Sequence, residues 1–301
     1  MGAIVARERL PTPNTGDAKA DLETLAAHAR ALVARAGASL ERVAAVGVSV
    51  PGAIDPEAGG PLRPPNLPSW DRAPVRDVLT AALGRPLGLE NDANAAALAE
   101  WHFGAGRGAR DVVFLTMSTG VGGGLVLGGR LHRGLFSAAG EVGHIPVEWD
   151  GEPCACGQRG CLEAYVGGAA WAKRLARVTP PESAVAQLAG GTAHARPEHV
   201  VEGARAGDAF ARAELARWNG YLARGLVPLV FTLAPELFVL GTIAAAAGEA
   251  LCLAPVRDEV RRRVWPFLAP HVRIEASALG EELPYHAGLG VALGVAEEAP
   301  R

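Results

Sequence analysis

The sequence has 301 residues, with Lys+Arg 29 against Asp+Glu 32 for a formal net charge of −3, and is 49% hydrophobic and 20% charged. That is enough chain for two lobes with buried cores, and the even charge balance, without a basic block, argues against a nucleic-acid partner. Apolar runs such as Ala244–Ala247 are far too short to span a membrane. The opening MGAIVARERL carries charge where a secretion signal should turn apolar, so a cytoplasmic protein is expected.

In chain order, Leu22, Leu25, Ala29, Leu32, Val33 and Ala36 recur at helical spacing, and Gly37 closes that helix. Val43–Val50 is β-branched and apolar, as in a buried strand, and Pro51-Gly52 ends it. Residues 53–72 are full of Pro and Gly and predict a long ordered loop, a place where function often lies. Pro74 opens a short helix, Pro86–Glu90 is a strand, and Ala93–Phe103 is an Ala-rich helix. After the glycine-rich hinge Gly104–Arg110 come strand Val112–Ser118, a glycine turn, strand Gly124–Leu127, a Gly128-Gly129 hairpin and a long loop. Helices are predicted near 168–178, 198–206 and 208–233. Strands Leu237–Gly241 and Val272–Leu279 flank a helix near 245–263, and a last helix starts near Tyr285. The alternation is that of an α/β protein.

Three of the four cysteines, Cys154, Cys156 and Cys161, share one short stretch with His144 just upstream. Clustering of this kind in an intracellular chain predicts metal binding rather than a disulfide framework. One His and three Cys make a closed tetrahedral zinc set, with no open position for water, so the metal should hold a loop. Gly157 and Gly160 let the backbone wrap around it. Cys252, in an apolar stretch, is expected to be a buried small hydrophobe.

In Glu90-Asn91-Asp92-Ala93-Asn94 a strand ends and a helix begins. Asn91 and Asp92 are therefore candidates either for a helix cap or for ligand contact at the carboxyl end of a strand. Ser118-Thr119-Gly120-Val121-Gly122-Gly123-Gly124 lies between two apolar strands, so it is a glycine-rich hairpin and lacks the Gly-Lys-Ser/Thr of a Walker loop. Trp70 and Trp149 are candidates for a pocket wall or for plain packing.

The run Glu141-Val-Gly-His144 followed by Cys154-Ala-Cys156-Gly-Gln-Arg-Gly-Cys161-Leu-Glu163 resembles the signature of the ROK family of sugar kinases and sugar-responsive repressors, and the two stretches just described agree with it. The resemblance implies an α/β, two-lobed actin-like ATPase (ribonuclease H-like) fold with mixed sheets flanked by helices. It divides the chain into a small lobe, 1–106 completed by a helix at 285–301, and a large lobe, 107–284, that carries the zinc loop 141–163. It implies ATP-dependent phosphorylation of a hexose 6-hydroxyl, glucose first, with fructose, N-acetylmannosamine or N-acetylglucosamine as alternatives. Asp92 would be the catalytic base, and Gly52, Asn66, Asn91, Asp92, Glu141, His144 and Glu163 would meet the sugar. Ser118, Thr119, Gly120, Gly122, Gly123 and Gly241 would meet the nucleotide, and His144, Cys154, Cys156 and Cys161 a structural Zn²⁺. ATP and Mg²⁺ are the implied cofactors, and a homodimer or higher homo-oligomer is expected.

Two departures stand out. The family's opening Asp-x-Gly-Gly-Thr phosphate loop has no counterpart, and Gly2–Leu10 resembles the third strand of that lobe, so the sequence is expected to start late. A non-catalytic sugar-binding protein is the corresponding alternative. Thr242, in Leu237–Thr242, also stands where the family usually has a second glycine.

Overall fold

In the computed structural model, which describes residues 3–64 and 66–298, the first helix, α1 (Ala18–Arg35), starts where the Asp17 carboxylate accepts the N–H groups of Lys19 and Ala20. It ends two residues before Gly37, whose φ of 71° is the left-handed conformation that a helix terminus assigns to glycine. There follow β1 (Val46–Val50), β2 (Ala53–Asp55), β3 (Gly60–Leu62), α2 (Val75–Leu83), β4 (Leu87–Asn91) and α3 (Asp92–Phe103). Next come β5 (Val112–Met117), β6 (Val121–Leu127), β7 (Arg130–Leu131), α4 (Glu163–Val166), α5 (Gly168–Val178), α6 (Ala184–Ala189), α7 (Pro197–Arg205) and α8 (Ala209–Leu233). The chain closes with β8 (Leu237–Gly241), α9 (Thr242–Gly248), α10 (Ala254–Arg263), β9 (Arg273–Ala276) and α11 (Leu283–Glu298).

Several expectations are corrected. The described part of Gly2–Leu10 forms no strand: it joins no ladder, and Val5 is 86% exposed. The proline-rich stretch 53–72 contains the β2–β3 hairpin, because Ala53 and Leu62 pair across a turn that Asp55 closes by accepting the N–H groups of Glu57 and Ala58. The helix near 245–263 is two helices joined by a π turn at Glu249–Leu253, after Gly248 (φ 79°) breaks the first. Helices α4 and α6 are too short for a periodic signal.

Contacts divide the chain into two units. The first comprises Met1–Phe103, Arg133–Ala139 and Glu281–Arg301. Here β1 and β4 run parallel, with Val50 opposite Asn91 at their carboxyl ends. Leu22, Ile54, Trp70, Val75, Leu79 and Leu89 form the core on one side, and α11 packs on β1 and α3. The second unit comprises Gly104–His132 and Gly140–Gly280. Its five-stranded sheet has the order β7-β6-β5-β8-β9, antiparallel from β7 to β5 and parallel from β5 to β9. Val112–Leu115 and Leu237–Leu240 are fully buried, as the unbroken apolar runs of central strands require. Parallel pairing sets Thr116 beside Gly241, so the turns leaving β5 and β8 are neighbours.

Candidate functional site

In the first unit, β4 runs straight into α3, and the exposed amide groups of the helix need an acceptor. Asn91 supplies it: its Oδ1, on a buried side chain, accepts the Asn94 N–H at 2.7 Å. Asp92 is thereby released from capping the next turn. It stands exposed at the carboxyl end of the strand, with Oδ1 accepting only its neighbour's N–H, that of Ala93, at 2.9 Å among the described contacts. Behind it, the 3%-exposed Glu90 accepts from Arg133 Nε (2.6 Å) and Asn94 Nδ2 (3.3 Å). Gly52 occupies the turn after β1 at φ 87°, and Asn66 is exposed, its carbonyl 3.4 Å from Asn14 Nδ2. Trp70 is a packing residue: it is 2% exposed and its Nε1 donates to Asp21. Trp149, at 81%, is on the surface.

In the second unit, the Ser118–Gly120 turn joins β5 to β6. Its carbonyls are tied down, that of Ser118 by the Gly168 N–H (2.8 Å) and that of Thr119 by the Ala169 N–H (2.9 Å). Among the described residues the N–H groups of Thr119 and Gly120 have no acceptor, so the turn offers two free backbone donors. Such a nest suits an anion. A cavity of about 560 Å³ is lined by this turn, Glu163 and α5, with Lys173, Arg174 and Arg177 on its wall. Gly122 and Gly123 lie farther along, in the β5–β6 ladder opposite Thr116 and Leu115. Packing accounts for the second: a Cβ on Gly123 would fall 2.6 Å from Val142 Cγ2 and 2.8 Å from the Gly140 carbonyl. Gly143 is equally confined, 2.3 Å from the Val121 carbonyl. The turn carrying Glu141 and His144 therefore lies backbone to backbone on β6. Gly241 is buried at the end of β8.

His144, Cys154, Cys156 and Cys161 converge, with their ligand atoms all within 4.8 Å of one another. Cys154 Sγ lies 3.8 Å from His144 Nδ1, and Cys156 Sγ 3.7 Å from Cys161 Sγ. A tetrahedron with metal–sulfur bonds of about 2.3 Å has edges of about 3.8 Å, so the spacing is that of ligands around one ion. Gly157 and Gly160 hold φ of 91° and 73°, and the bend at Gly160 is closed by the Val147 N–H on its carbonyl. Burial pushes the Cys161 thiol up to about 12 and raises Cys154, whereas the Gln158 N–H lowers the exposed Cys156. Buried thiols in this state become ligands when a cation stabilises their thiolates. With Nδ1 turned to the cysteines, His144 Nε2 points away and lies 3.9 Å from Glu141 Oε2. Glu163 links the cluster to the glycine turn: Oε2 accepts the Val121 N–H at 2.8 Å, and Oε1 is 3.8 Å from Cys154 Sγ. Cys252 is fully buried, as expected, and burial alone pushes it up to about 12.

The pattern of the ROK family matches residues 1–290. The chain belongs to the ROK family. A glucokinase of Streptomyces coelicolor is 35% identical over 305 residues, which covers 99% of this chain and 92% of that protein. The crystal structure of a ROK hexokinase from Thermus thermophilus superposes with a TM-score of 0.81 at 33% identity, covering 96% of this chain and 90% of the other. A ROK family glucokinase from Streptomyces griseus, solved in complex with glucose and AMPPNP, gives a TM-score of 0.73 at 34% identity, covering 95% and 90%. This ROK protein thus has the α/β actin-like ATPase fold, and no helix among its described residues is long and apolar enough to cross a membrane.

Three features of this ROK protein escape a reading of its sequence. Arg133, from a segment flanked on both sides by the second unit, joins Glu90 in the first. Glu214 on α8, 5% exposed, gathers Trp171 Nε1, Arg174 and Arg217 and so ties α5 to α8. Thr242 adopts a φ of 45°. None has a local sequence signal except the last, where a β-branched residue replaces glycine.

Proposed function

We propose that this ROK protein is a cytoplasmic, ATP-dependent kinase that phosphorylates the 6-hydroxyl of glucose. The observation that carries the reading is the division of work at the end of β4, where buried Asn91 caps α3 and leaves the Asp92 carboxylate exposed. An ordinary carboxylate is too weak to deprotonate a resting alcohol. In a loose phosphoryl-transfer transition state it needs only to orient the hydroxyl and take its proton late, as the new O–P bond forms. The free N–H groups of Thr119 and Gly120, with Ser118 beside them, suit the charge that develops on the transferred phosphoryl group. Mg²⁺, when bound with the nucleotide, neutralises further phosphate charge. The corner at Gly241 is assigned to the nucleoside, with Gly122 and Gly123 keeping β6 close behind the turn.

Asn91, Glu141, His144 and Glu163 are assigned to the hexose hydroxyls, with Gly52 and Asn66 nearby. The His144, Cys154, Cys156 and Cys161 set fits Zn²⁺ in donor type and spacing. With four protein donors the ion is structural: it would fix the ring of His144 with Nε2 outward as a hydrogen-bond donor. The names of the relatives support glucose as the sugar, and a homodimer or higher homo-oligomer is the proposed assembly.

A coupled phosphorylation assay over glucose, fructose, N-acetylmannosamine and N-acetylglucosamine tests the reading. Glucose should give the highest kcat/KM, and Asp92→Asn should lower kcat by about a hundredfold to ten-thousandfold while glucose still binds. Glucose binding without turnover would overturn it.

A further inference from the structure

Five described non-glycine residues have positive φ, namely Arg63, Arg72, Ser137, Ala234 and Thr242, and only Thr242 is β-branched. A branched side chain in the left-handed region is a true outlier, held only when its surroundings impose it. What imposes it is visible. The Thr242 hydroxyl donates to the Met117 carbonyl, and Thr116 Oγ1 lies 3.3 Å from the Thr242 hydroxyl oxygen, placed to donate to it in turn. The backbones of Met117 and Thr242 also form a parallel bridge.

The Met117 carbonyl belongs to the peptide unit that opens the Ser118–Gly120 turn. In a planar trans peptide the carbonyl and the following N–H point in opposite directions. Three consecutive carbonyls are fixed here: Met117 by the Thr242 hydroxyl, Ser118 by the Gly168 N–H, and Thr119 by the Ala169 N–H. Fixing them dictates where the next three N–H groups aim. That of Ser118 is taken up by the Gly120 carbonyl at 3.0 Å, and those of Thr119 and Gly120 are left open. Two of the ties are backbone groups at the start of α5. The third is a side-chain hydroxyl, set beside the backbone bridge of Met117 and Thr242.

We propose that Thr242 is a positioning residue: its strained conformation exists to place the hydroxyl that orients the first peptide of the phosphate-binding turn. The proposal rests on the reading that this turn receives the phosphates of ATP, and it separates nucleotide handling from sugar handling. Thr242→Val keeps the branched shape and removes the donor, Thr242→Ser keeps the donor, and Thr242→Gly relieves the backbone while removing the donor.

Steady-state kinetics and amide hydrogen exchange on the full chain test it together. In Thr242→Val and Thr242→Gly, KM for ATP should rise on the order of fivefold to tenfold, the worth of one net hydrogen bond, with KM for the hexose unchanged. Thr242→Ser should restore the wild-type value. Exchange at Ser118, Gly168 and Ala169 should quicken in Val and Gly but not in Ser. Thr242→Gly guards the test against a valine variant that folds poorly. A wild-type KM for ATP in Thr242→Gly, or an equal rise in both KM values, would overturn the proposal. If the wild-type chain phosphorylates no hexose, the functional reading fails, and exchange alone decides whether Thr242 orients the turn: unchanged protection in Thr242→Gly refutes it.

Discussion

Replacing Glu214 with alanine should lower stability by about 4 kcal/mol at pH 7. The carboxylate accepts Trp171 Nε1 at 3.2 Å, Arg174 Nε and Nη2 at 2.7 and 3.1 Å, and Arg217 Nε at 2.9 Å. The indole is fully buried, so its N–H loses its acceptor with no water to replace it, at about 1–3 kcal/mol. The guanidinium side chains are 34% and 24% exposed and recover much of their hydration, which holds each loss to about 0.5 kcal/mol. The void left between α5 and α8 adds about 1 kcal/mol. At roughly 2–4 °C per kcal/mol, the variant should melt about 8–16 °C below wild type.

Acidification supplies the sign test. Burial by itself would raise the Glu214 carboxyl, but the Arg174 hydrogen bonds and the charge and hydrogen bond of Arg217 outweigh it and hold the group below its ordinary 4.5. The stabilisation is therefore complete above pH 4.5 and disappears as pH falls through the lower folded-state value. Thermal unfolding of both proteins from pH 7 down to pH 4 should show the gap narrowing in the most acid samples. Melting within about 1 °C of wild type at pH 7, or a gap that widens on acidification, would refute the reasoning.

Purified protein should carry one zinc per chain by elemental analysis. Cys161→Ser or a strong chelator should remove it with a loss of several kcal/mol in thermal stability. Asn91→Ala removes the cap of α3 and should destabilise by about 1–2 kcal/mol in chemical denaturation. Arg133→Met leaves the buried Glu90 carboxylate without its cation and should cost about 3 kcal/mol, with Arg133→Lys recovering part.

Local chemistry was legible wherever a residue type has one physical use. Asp17 and Gly37 bracket α1 in the sequence as they do in the structure, and the spacing of three cysteines and a histidine foretold their convergence. At Asn91-Asp92 the sequence left two roles for two residues, and only the register of β4 against α3 shows that Asn91 turns inward to the cap. The segment Gly2–Leu10 resembles a strand of the family's small lobe, yet a strand exists only with a partner, and its described residues join no ladder. Glu90–Arg133 and the Glu214 cluster span more than 40 positions each, and no local pattern announces a pairing at that distance.

The absence of room at Gly123 and Gly143 has a consequence for how this protein can change. Any side chain added at either point would lever the Glu141–His144 turn off the sheet, and two proposed sugar contacts would move together. A mutational scan should therefore find a rigid, intolerant stripe along that seam. Evolution of a new sugar preference would have to proceed through exposed positions among the proposed contacts, such as Asn66, rather than through the frame that holds the histidine.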